Sequence, residues 1–263
     1  MLHFDFLQLR RIILLLFIIS SCSPERKQVE TKSDDQILKY SVRGVFPHDT
    51  QAFTEGLLIH NGKVFESTGS ENSWIAEVNI ETGVHDKKVT LDKAYFGEGI
   101  TILNNKMYQL TWKNKVGFIY DATNYKKLGE FTYEFEGWGI THDNHHLLVS
   151  DGTEIIYFLD TLKQKVEKKL TVKEKGVNAT KLNELEYIEG FIFANQWETN
   201  YILKIDPTTG NVVGKLDLTE FARKAKGINP QADVLNGIAY NRETKDLLVT
   251  GKFWPLLFVI RLN

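Results

Sequence analysis

The sequence of 263 residues has a single cysteine, Cys22, so no disulfide within the chain stabilises it. It also lacks strong charge: the net charge is −2 and no run of Lys and Arg exceeds three residues, which argues against a nucleic-acid partner. The apolar run Ile12–Ile19 is too short to cross a bilayer as a helix. Sustained helical periodicity is confined to the N-terminus and Leu218–Lys226. These absences indicate a mainly β-structured globular chain, with an ordinary 25% of charged and 12% of aromatic residues.

The N-terminus has the features of an export signal. Arg10 and Arg11 precede the apolar run, and Ser20-Ser21-Cys22 follow it, which is the order of a cleaved signal peptide. Because Cys22 stands where bacterial lipoproteins carry their lipidated cysteine, the segment resembles a lipoprotein signal. We therefore predict a signal peptide at residues 1–21, lipidation of Cys22 and a polar, flexible tether at residues 22–37. The alternative is an ordinary signal peptide with an incidental cysteine.

A short phrase recurs five times in residues 38–263. Its anchor residues are separated by 43, 40, 45 and 53 residues, and each opens a strand-like run that leads into a turn. The anchors are Glu55, Glu98, Trp138, Asn183 and Asn236. A period in the forties with several short strands per unit is typical of a β-propeller. The sequence therefore predicts an all-β fold with five blades, in which the anchors meet at the central channel.

The last repeat is one strand short. After Leu256–Ile260 the sequence stops at Asn263, whereas the strand-like run Ile37–Phe46 precedes the first repeat without a partner. If this N-terminal run pairs with the last blade as its outer strand, the ring closes and no sheet edge is left exposed. We therefore expect closure by an N-terminal strand.

The channel mouth is the expected site of chemistry. Two further tryptophans, Trp112 and Trp197, follow the anchors Glu98 and Asn183 by 14 residues each, and Lys252 occupies the equivalent stretch of the last blade. The combination of carboxylates, carboxamides, a lysine and aromatic walls suits a small polar ligand better than a macromolecule. Being placed at the channel, the Glu98 side chain is expected to line solvent.

The motifs together resemble the plant-type glutaminyl-peptide cyclotransferase family. The resemblance runs from about Tyr40 to the C-terminus and rests on six phrases that occur in order. The phrases are Phe46-Pro47-His48-Asp49 to Phe53-Thr54-Glu55-Gly56-Leu57, Phe96-Gly97-Glu98-Gly99-Ile100, Glu136-Gly137-Trp138-Gly139, Leu182-Asn183-Glu184-Leu185-Glu186, Leu235-Asn236-Gly237-Ile238-Ala239 and Thr250-Gly251-Lys252. The resemblance implies a five-bladed propeller that cyclises an N-terminal glutamine to pyroglutamate and releases ammonia. It also implies that no catalytic metal or other cofactor is used.

The same resemblance assigns roles to individual residues. It implies that Glu98 is the catalytic carboxylate and that Asn183 and Lys252 hold the reacting carboxamide. The pocket aromatics that it implies are Phe53, Phe96, Trp112, Trp138 and Trp197. Plant members commonly carry Gln where this chain has Glu55. A second carboxylate there would bind the substrate ammonium, or raise the pKa of Glu98 if the two groups lie close together.

These residues suit the reaction chemically. The α-amine, with a reference pKa of about 8, attacks the side-chain carbonyl of its own glutamine, so the protein must fold that side chain back and exclude other conformers. One carboxylate, Glu98, can take a proton from the attacking nitrogen and give one to ammonia. Asn183 and Lys252 can stabilise the charge that builds on the carbonyl oxygen. The expected partners are peptides or proteins with N-terminal Gln. The protein itself is expected to be an exported monomer, either periplasmic or at the cell surface. Its only expected contact with a bacterial membrane is the lipid anchor.

Two other classes of function stay open at this stage. A metal-assisted, lactonase-like hydrolase would take oxygen ligands from Glu55, Asn183 and Asn236, and a non-catalytic lipoprotein would use the propeller as a binding scaffold. Structural roles are expected for Asn236 and for Trp254. The histidine-rich segment 142–146 is interpreted as a hairpin loop and not as a metal site.

Overall fold

The computed structural model describes residues 36–263, which form 23 strands and one α-helix. The predicted signal peptide, the predicted lipidation site Cys22 and the tether as far as residue 35 lie outside the described residues. Within the part of the chain that is described, no helix has the length and apolar character needed to span a membrane.

The strands form five antiparallel blades, which confirms the predicted five-bladed propeller. Two strands precede the first blade, namely β1 (Gln36–Ile37) and β2 (Tyr40–Pro47). Blade 1 contains β3 (Thr54–His60), β4 (Lys63–Thr68), β5 (Trp74–Val78) and β6 (His85–Thr90). Blade 2 contains β7 (Gly97–Leu103), β8 (Lys106–Thr111), β9 (Val116–Asp121) and β10 (Lys127–Thr132). Blade 3 contains β11 (Ile140–His142), β12 (His146–Ser150), β13 (Ile155–Asp160) and β14 (Val166–Thr171).

The remaining elements complete the ring. The connection from blade 3 to blade 4 carries a small hairpin of β15 (Lys173–Glu174) and β16 (Val177–Asn178). Blade 4 contains β17 (Leu182–Ile188), β18 (Phe191–Gln196), β19 (Tyr201–Ile205) and β20 (Val212–Asp217). The helix α1 (Thr219–Ile228) follows, close to the predicted helical segment Leu218–Lys226. Blade 5 contains β21 (Leu235–Asn241), β22 (Asp246–Gly251) and β23 (Leu256–Leu262), together with β2.

Burial falls from the channel towards the rim of each blade. All seven residues of the inner strand β7 are buried, because neighbouring blades cover both of its faces, whereas the outer strand β14 has one buried residue among six. The apolar core lies in layers between adjacent blades, for example where Ile100 and Ile102 of blade 2 meet Leu58 of blade 1. The inner strands are therefore fixed firmly enough to position a site at the channel.

The ring closes through β2, as predicted. This strand pairs antiparallel with β23, from Tyr40 opposite Leu262 to Pro47 opposite Leu256. The predicted single run Ile37–Phe46 is divided, however, because Gln36–Ile37 form β1, which pairs in parallel with β20 of blade 4. The chain crosses from blade 4 to blade 5 between β1 and β2. The N-terminal run therefore pairs with two blades and not with one.

The helix α1 fills the connection between blades 4 and 5. It packs Phe221 and Ala225 into the core, and the Phe221 ring stacks on Phe258 of β23 with 4.0 Å between centroids. The chain then returns to the channel through Asp233, whose backbone N–H donates to the Lys252 carbonyl at 2.8 Å. This pairing places Asp233 beside Lys252 at the channel mouth.

Candidate active site

All nine of the sequence-predicted catalytic and substrate-binding residues line one cavity of about 350 Å³ at one end of the channel. They are Phe53, Glu55, Phe96, Glu98, Trp112, Trp138, Asn183, Trp197 and Lys252, and Asp233 lines the same cavity. The sequence analysis did not select Asp233, since it lies in the connection after α1, outside the repeated phrase. The five blades all contribute to this single pocket.

The predicted anchors face the channel because the inner strands bulge there. In β3 the register with β4 shifts between Thr54 and Gly56, on either side of Glu55. In β7 the shift lies between Gly97 and Ile100, around Glu98. The strands β17 and β21 shift in the same way around Asn183 and Asn236. A bulge takes a residue out of the ladder and redirects its side chain, so the repeated phrase encodes one bulge in each of these blades.

The glycine after each anchor is required by close contact between blades. A Cβ on Gly56 would lie 2.7 Å from the Ile100 nitrogen, and a Cβ on Gly139 would lie 2.2 Å from the Asn183 carbonyl oxygen. Both contacts are with backbone atoms, which cannot move aside as a flexible side chain can. Glycine therefore allows the inner strands to converge at the channel.

Blade 4 carries Glu184 in place of this glycine. Its buried carboxylate reaches across the channel and accepts hydrogen bonds from the backbone N–H of Ile238 at 2.8 Å and of Leu57 at 3.5 Å. Burial, and then the charge of Glu186, raises the pKa of Glu184 well above its usual range. Glu184 thus connects the inner strands of blades 4, 5 and 1 just below the pocket. Its position in the repeated phrase was visible in the sequence, but its contacts were not.

The charged centre of the pocket is an ion pair between Lys252 and Glu55. The Lys252 Nζ lies 2.6 Å from Glu55 Oε1, and the Asn236 Nδ2 donates to Glu55 Oε2 at 3.1 Å. Both oxygens of Glu55 therefore have donors from the protein. Asn236 also donates to the Thr54 carbonyl, which agrees with a structural role.

Glu98 lies against this ion pair. Its carboxyl group is hydrogen-bonded to that of Glu55, and its side chain is 5% exposed, so the expectation that it lines solvent is wrong. Burial, and then the neighbouring charge of Glu55, raises the pKa of Glu98 well above its usual range, although Lys252 acts in the opposite direction. Burial also raises the pKa of Glu55, to about 7, against the lowering effect of Lys252. Since two carboxylates in contact cannot both be ionised cheaply, the pair shares a proton, and the stronger upward shift of the Glu98 pKa favours Glu98 as its carrier.

Asn183 presents an unused hydrogen-bonding atom. Its Oδ1 is buried and has no partner among the described residues. Its backbone is fixed, because the Ser150 hydroxyl donates to the Asn183 carbonyl at 2.6 Å. A buried carbonyl oxygen without a donor is costly, so Asn183 Oδ1 is suited to accept from a bound molecule.

The rest of the wall is aromatic. Phe96 lies between Phe53 and Trp112, with ring centroids 6.1 and 5.7 Å away, and Trp138 meets Trp197 edge to face at 5.6 Å. The Lys252 ammonium lies 4.2 Å from the centroid of Phe53. The pocket is therefore an apolar slot with one polar end. Glu136, which the sequence analysis quoted without a role, holds two of the tryptophans from outside the slot.

Two other features bear on the expectations from the sequence. Trp254 is fully buried against Phe258 and donates its indole N–H to the Asp233 carbonyl, which is a packing role. The segment from His142 to His146 forms the turn between β11 and β12, in which Asp143 accepts from the backbone N–H of His146 at 2.6 Å. Within residues 36–263 no group of three or more His, Cys, Asp or Glu side chains is arranged to hold a metal ion.

Comparison with known proteins places this architecture among enzymes. A family model described as glutamine cyclotransferase matches residues 13–262. A glutaminyl-peptide cyclotransferase from Arabidopsis thaliana is 39% identical over 232 residues, which cover 87% of this chain and 72% of the relative. The crystal structure of Myxococcus xanthus glutaminyl cyclase superposes with a TM-score of 0.81 at 34% identity, covering 87% of this chain and 99% of that chain.

Proposed function

This chain belongs to the glutamine cyclotransferase family, and we propose that it converts the N-terminal glutamine of peptides and proteins into pyroglutamate with release of ammonia. It is thus an acyltransferase whose acyl donor and acceptor are in one residue. The observation that carries the proposal is geometric: the buried Glu98 carboxyl group lies against the Glu55–Lys252 ion pair at the base of an aromatic slot.

The slot provides the conformational part of catalysis. The methylene groups of the glutamine side chain pack between the rings of Phe96, Trp112 and Trp138, which line the cavity. A cavity of about 350 Å³ accommodates the terminal residue folded back on itself but not a chain that continues in both directions. The reaction is already intramolecular, so holding the amine against the carbonyl accelerates it by excluding the unproductive conformers of the glutamine side chain.

Asn183 and Lys252 hold the reacting carboxamide. The Asn183 amide pairs with it in both directions, accepting at Oδ1 from the substrate NH₂ and donating from Nδ2 to the substrate carbonyl oxygen. The Lys252 ammonium has three donors, of which Glu55 uses one, so another is available for the carbonyl oxygen as it becomes negatively charged.

Glu98 moves the protons. The neutral α-amine attacks the side-chain carbonyl carbon, forming the new C–N bond and leaving a positive charge on the nitrogen. Glu98 donates its proton to the departing amide nitrogen, the old C–N bond breaks, and ammonia leaves. The resulting Glu98 carboxylate takes the surplus proton from the ring nitrogen. The proton count balances and Glu98 returns to its starting state.

The experiment uses the purified protein and four synthetic peptides of matched sequence. The peptide with free N-terminal Gln should lose one ammonia by mass spectrometry and become resistant to N-terminal sequencing. The N-acetylated peptide has no nucleophile, the peptide with internal Gln does not fit the closed slot, and N-terminal Asn would require a strained four-membered ring. Ammonia release from the acetylated or internal glutamine would indicate a general amidase and would contradict the proposal.

We also propose that the enzyme is exported and anchored to a bacterial membrane by a lipid on Cys22. The support is the order of basic, apolar and small residues that ends at Cys22.

A further inference from the structure

Two walls of the pocket are held by one carboxylate oxygen. The indole N–H of Trp112, which follows β8 in blade 2, donates to Glu136 Oε2 at 2.6 Å. The indole N–H of Trp138, which precedes β11 in blade 3, donates to the same oxygen at 3.1 Å. Glu136 is half-buried in the connection between these blades. One oxygen of Glu136 therefore accepts hydrogen bonds from the tryptophans of two different blades.

The two rings need such a partner, because each has an apolar face towards the slot and an N–H that must be satisfied. Their other contacts are less directional: Trp112 meets the Phe96 ring and the Lys113 ammonium, and Trp138 meets the Trp197 ring. Trp138 also fits only because Gly152 has no side chain, since a Cβ there would lie 2.7 Å from the ring. A hydrogen bond weakens steeply as the donor turns away from its acceptor, so each N–H direction is held. Glu136 thus determines the angle of both rings.

We propose that Glu136 is a positioning residue of this enzyme, which sets the width of the slot by holding Trp112 and Trp138 at fixed angles. The inference rests on the proposed function, since the slot is taken to enclose an N-terminal glutamine. Glu136 does not touch the reacting atoms in this scheme. Its charge also contributes, after burial and Glu55, to raising the pKa of Glu98.

The test compares Glu136→Ala and Glu136→Gln with a matched control, Glu134→Ala. Glu134 lies in the same connection, and its side chain is exposed. The amide oxygen of Gln accepts both indole N–H groups as the carboxylate does, whereas Ala accepts neither. Each protein is checked for cooperative thermal unfolding, its five indole N–H resonances are recorded in a nitrogen–proton correlation spectrum, and kcat and KM are measured on a Gln-initiated peptide.

We expect Glu136→Ala to move two indole resonances upfield and to lower kcat/KM by about tenfold to a hundredfold, the scale of a misplaced substrate. The kcat/KM of Glu136→Gln should stay within about threefold of the wild-type value, because the Gln amide oxygen still accepts both indole N–H groups. Glu134→Ala should change neither the spectrum nor the kinetics.

Indole resonances that do not respond to Glu136→Ala would overturn the proposal, as would a kcat/KM within about twofold of the wild type in a folded Glu136→Ala variant. A Gln variant as impaired as the Ala variant would also overturn it, since charge and not ring position would then be what matters. The spectra keep this test separate from the proposed function: a wild type that releases no ammonia refutes the cyclase activity, while the resonances still report whether Glu136 holds the two rings.

Discussion

At the scale of single residues, the two buried carboxyl groups differ in their hydrogen-bond partners although they lie in contact. Glu55 has a lysine and a carboxamide as donors, which favour its ionised form, whereas Glu98 has mainly Glu55 itself, whose charge raises the pKa of Glu98. A Glu at position 55 therefore acts on the chemistry by tuning Glu98. This is one of the two roles expected for it from the sequence, and the Lys252 ion pair leaves it less able to bind the substrate ammonium.

Replacing Glu98 should remove the chemistry and preserve the fold. We expect Glu98→Gln to lower kcat by at least about a hundredfold, because the carboxamide cannot exchange protons with the two nitrogens. The unfolding temperature should change little, since a neutral group of the same shape replaces a neutral carboxyl group and still donates to Glu55. Ammonia release and thermal unfolding measure the two effects. Near-wild-type turnover would transfer the proton shuttle to another group.

Replacing Lys252 tests whether it acts on the substrate or only on Glu55. Lys252→Ala should cost about 3 kcal/mol of transition-state stabilisation, the value for losing one oxyanion donor. It should also lower the free energy of unfolding by about 3–5 kcal/mol, because the Glu55 carboxylate stays buried without its counter-ion.

The double variant Lys252→Ala with Glu55→Gln separates these effects. Stability should recover in part, as the unpaired charge is gone, while kcat stays low. Urea unfolding and steady-state kinetics on the same samples provide the comparison. A double variant with restored kcat would mean that Lys252 serves only to neutralise Glu55.

At the scale of elements, the end of the closing strand β2 is tied to both blades that it joins. His48, directly after β2, lies 2.8 Å through Nδ1 from the Trp254 carbonyl of blade 5 and 3.2 Å through Nε2 from Glu66 Oε1 of blade 1. Glu66 is completely buried and also accepts from Thr54 and contacts His85, which in turn faces Asp49. Since both imidazole nitrogens face acceptors, these contacts favour the imidazolium form of His48.

This contact predicts a pH-dependent stability. Burial alone would lower the pKa of His48, but the charge and hydrogen bond of Glu66 outweigh it and the pKa is raised above 6.5. The stabilisation is therefore fully present below pH 6.5 and is lost as the pH rises through the pKa of the folded state. His48→Gln should be less stable than the wild type by about 3 kcal/mol at pH 5.5, with a smaller gap at pH 9.5.

Urea unfolding at the two pH values measures the gap. His145→Gln, at an exposed position in the turn of blade 3, is the matched control and should show no gap at either pH. An equal gap for His48→Gln at both pH values would mean that the imidazole contributes packing and not charge.

At the scale of the whole molecule, the propeller places its pocket at one end of the channel while the chain enters the fold from β1 at the edge of blade 4. The described part of the chain therefore begins at the rim of a blade and not at the slot.

The anchor proposal makes a prediction about location. The wild-type protein should sediment with membranes, and Cys22→Ala should either appear in the soluble exported fraction or accumulate unprocessed, because the lipid acceptor is gone. Fractionation followed by mass measurement of the mature N-terminus distinguishes these forms. Membrane association that is unchanged in the Cys22→Ala protein would refute the anchor.

The sequence by itself determined the fold and the members of the site, because a propeller repeats one unit and equivalent positions in every unit meet at one axis. The spacing of the phrase therefore predicted five blades. Four anchors and three residues at equivalent later positions accounted for seven of the lining residues, and the family resemblance added Phe53 and Phe96. The unpartnered runs at the two ends predicted the closing strand β2, although not the crossing to blade 4 through β1.

Only the tertiary structure decided how those residues interact. Lys252 and Glu55 are 197 residues apart, and Glu184 reaches Ile238 and Leu57 across the channel. Glu136 accepts hydrogen bonds from two indoles of different blades, and Glu98 is buried. Each of these contacts depends on the tilt and closeness of neighbouring blades, which arise from packing around the whole ring. No single repeat encodes that geometry, so the periodic pattern identifies the residues that meet but not which one donates, which one accepts and which one keeps the proton.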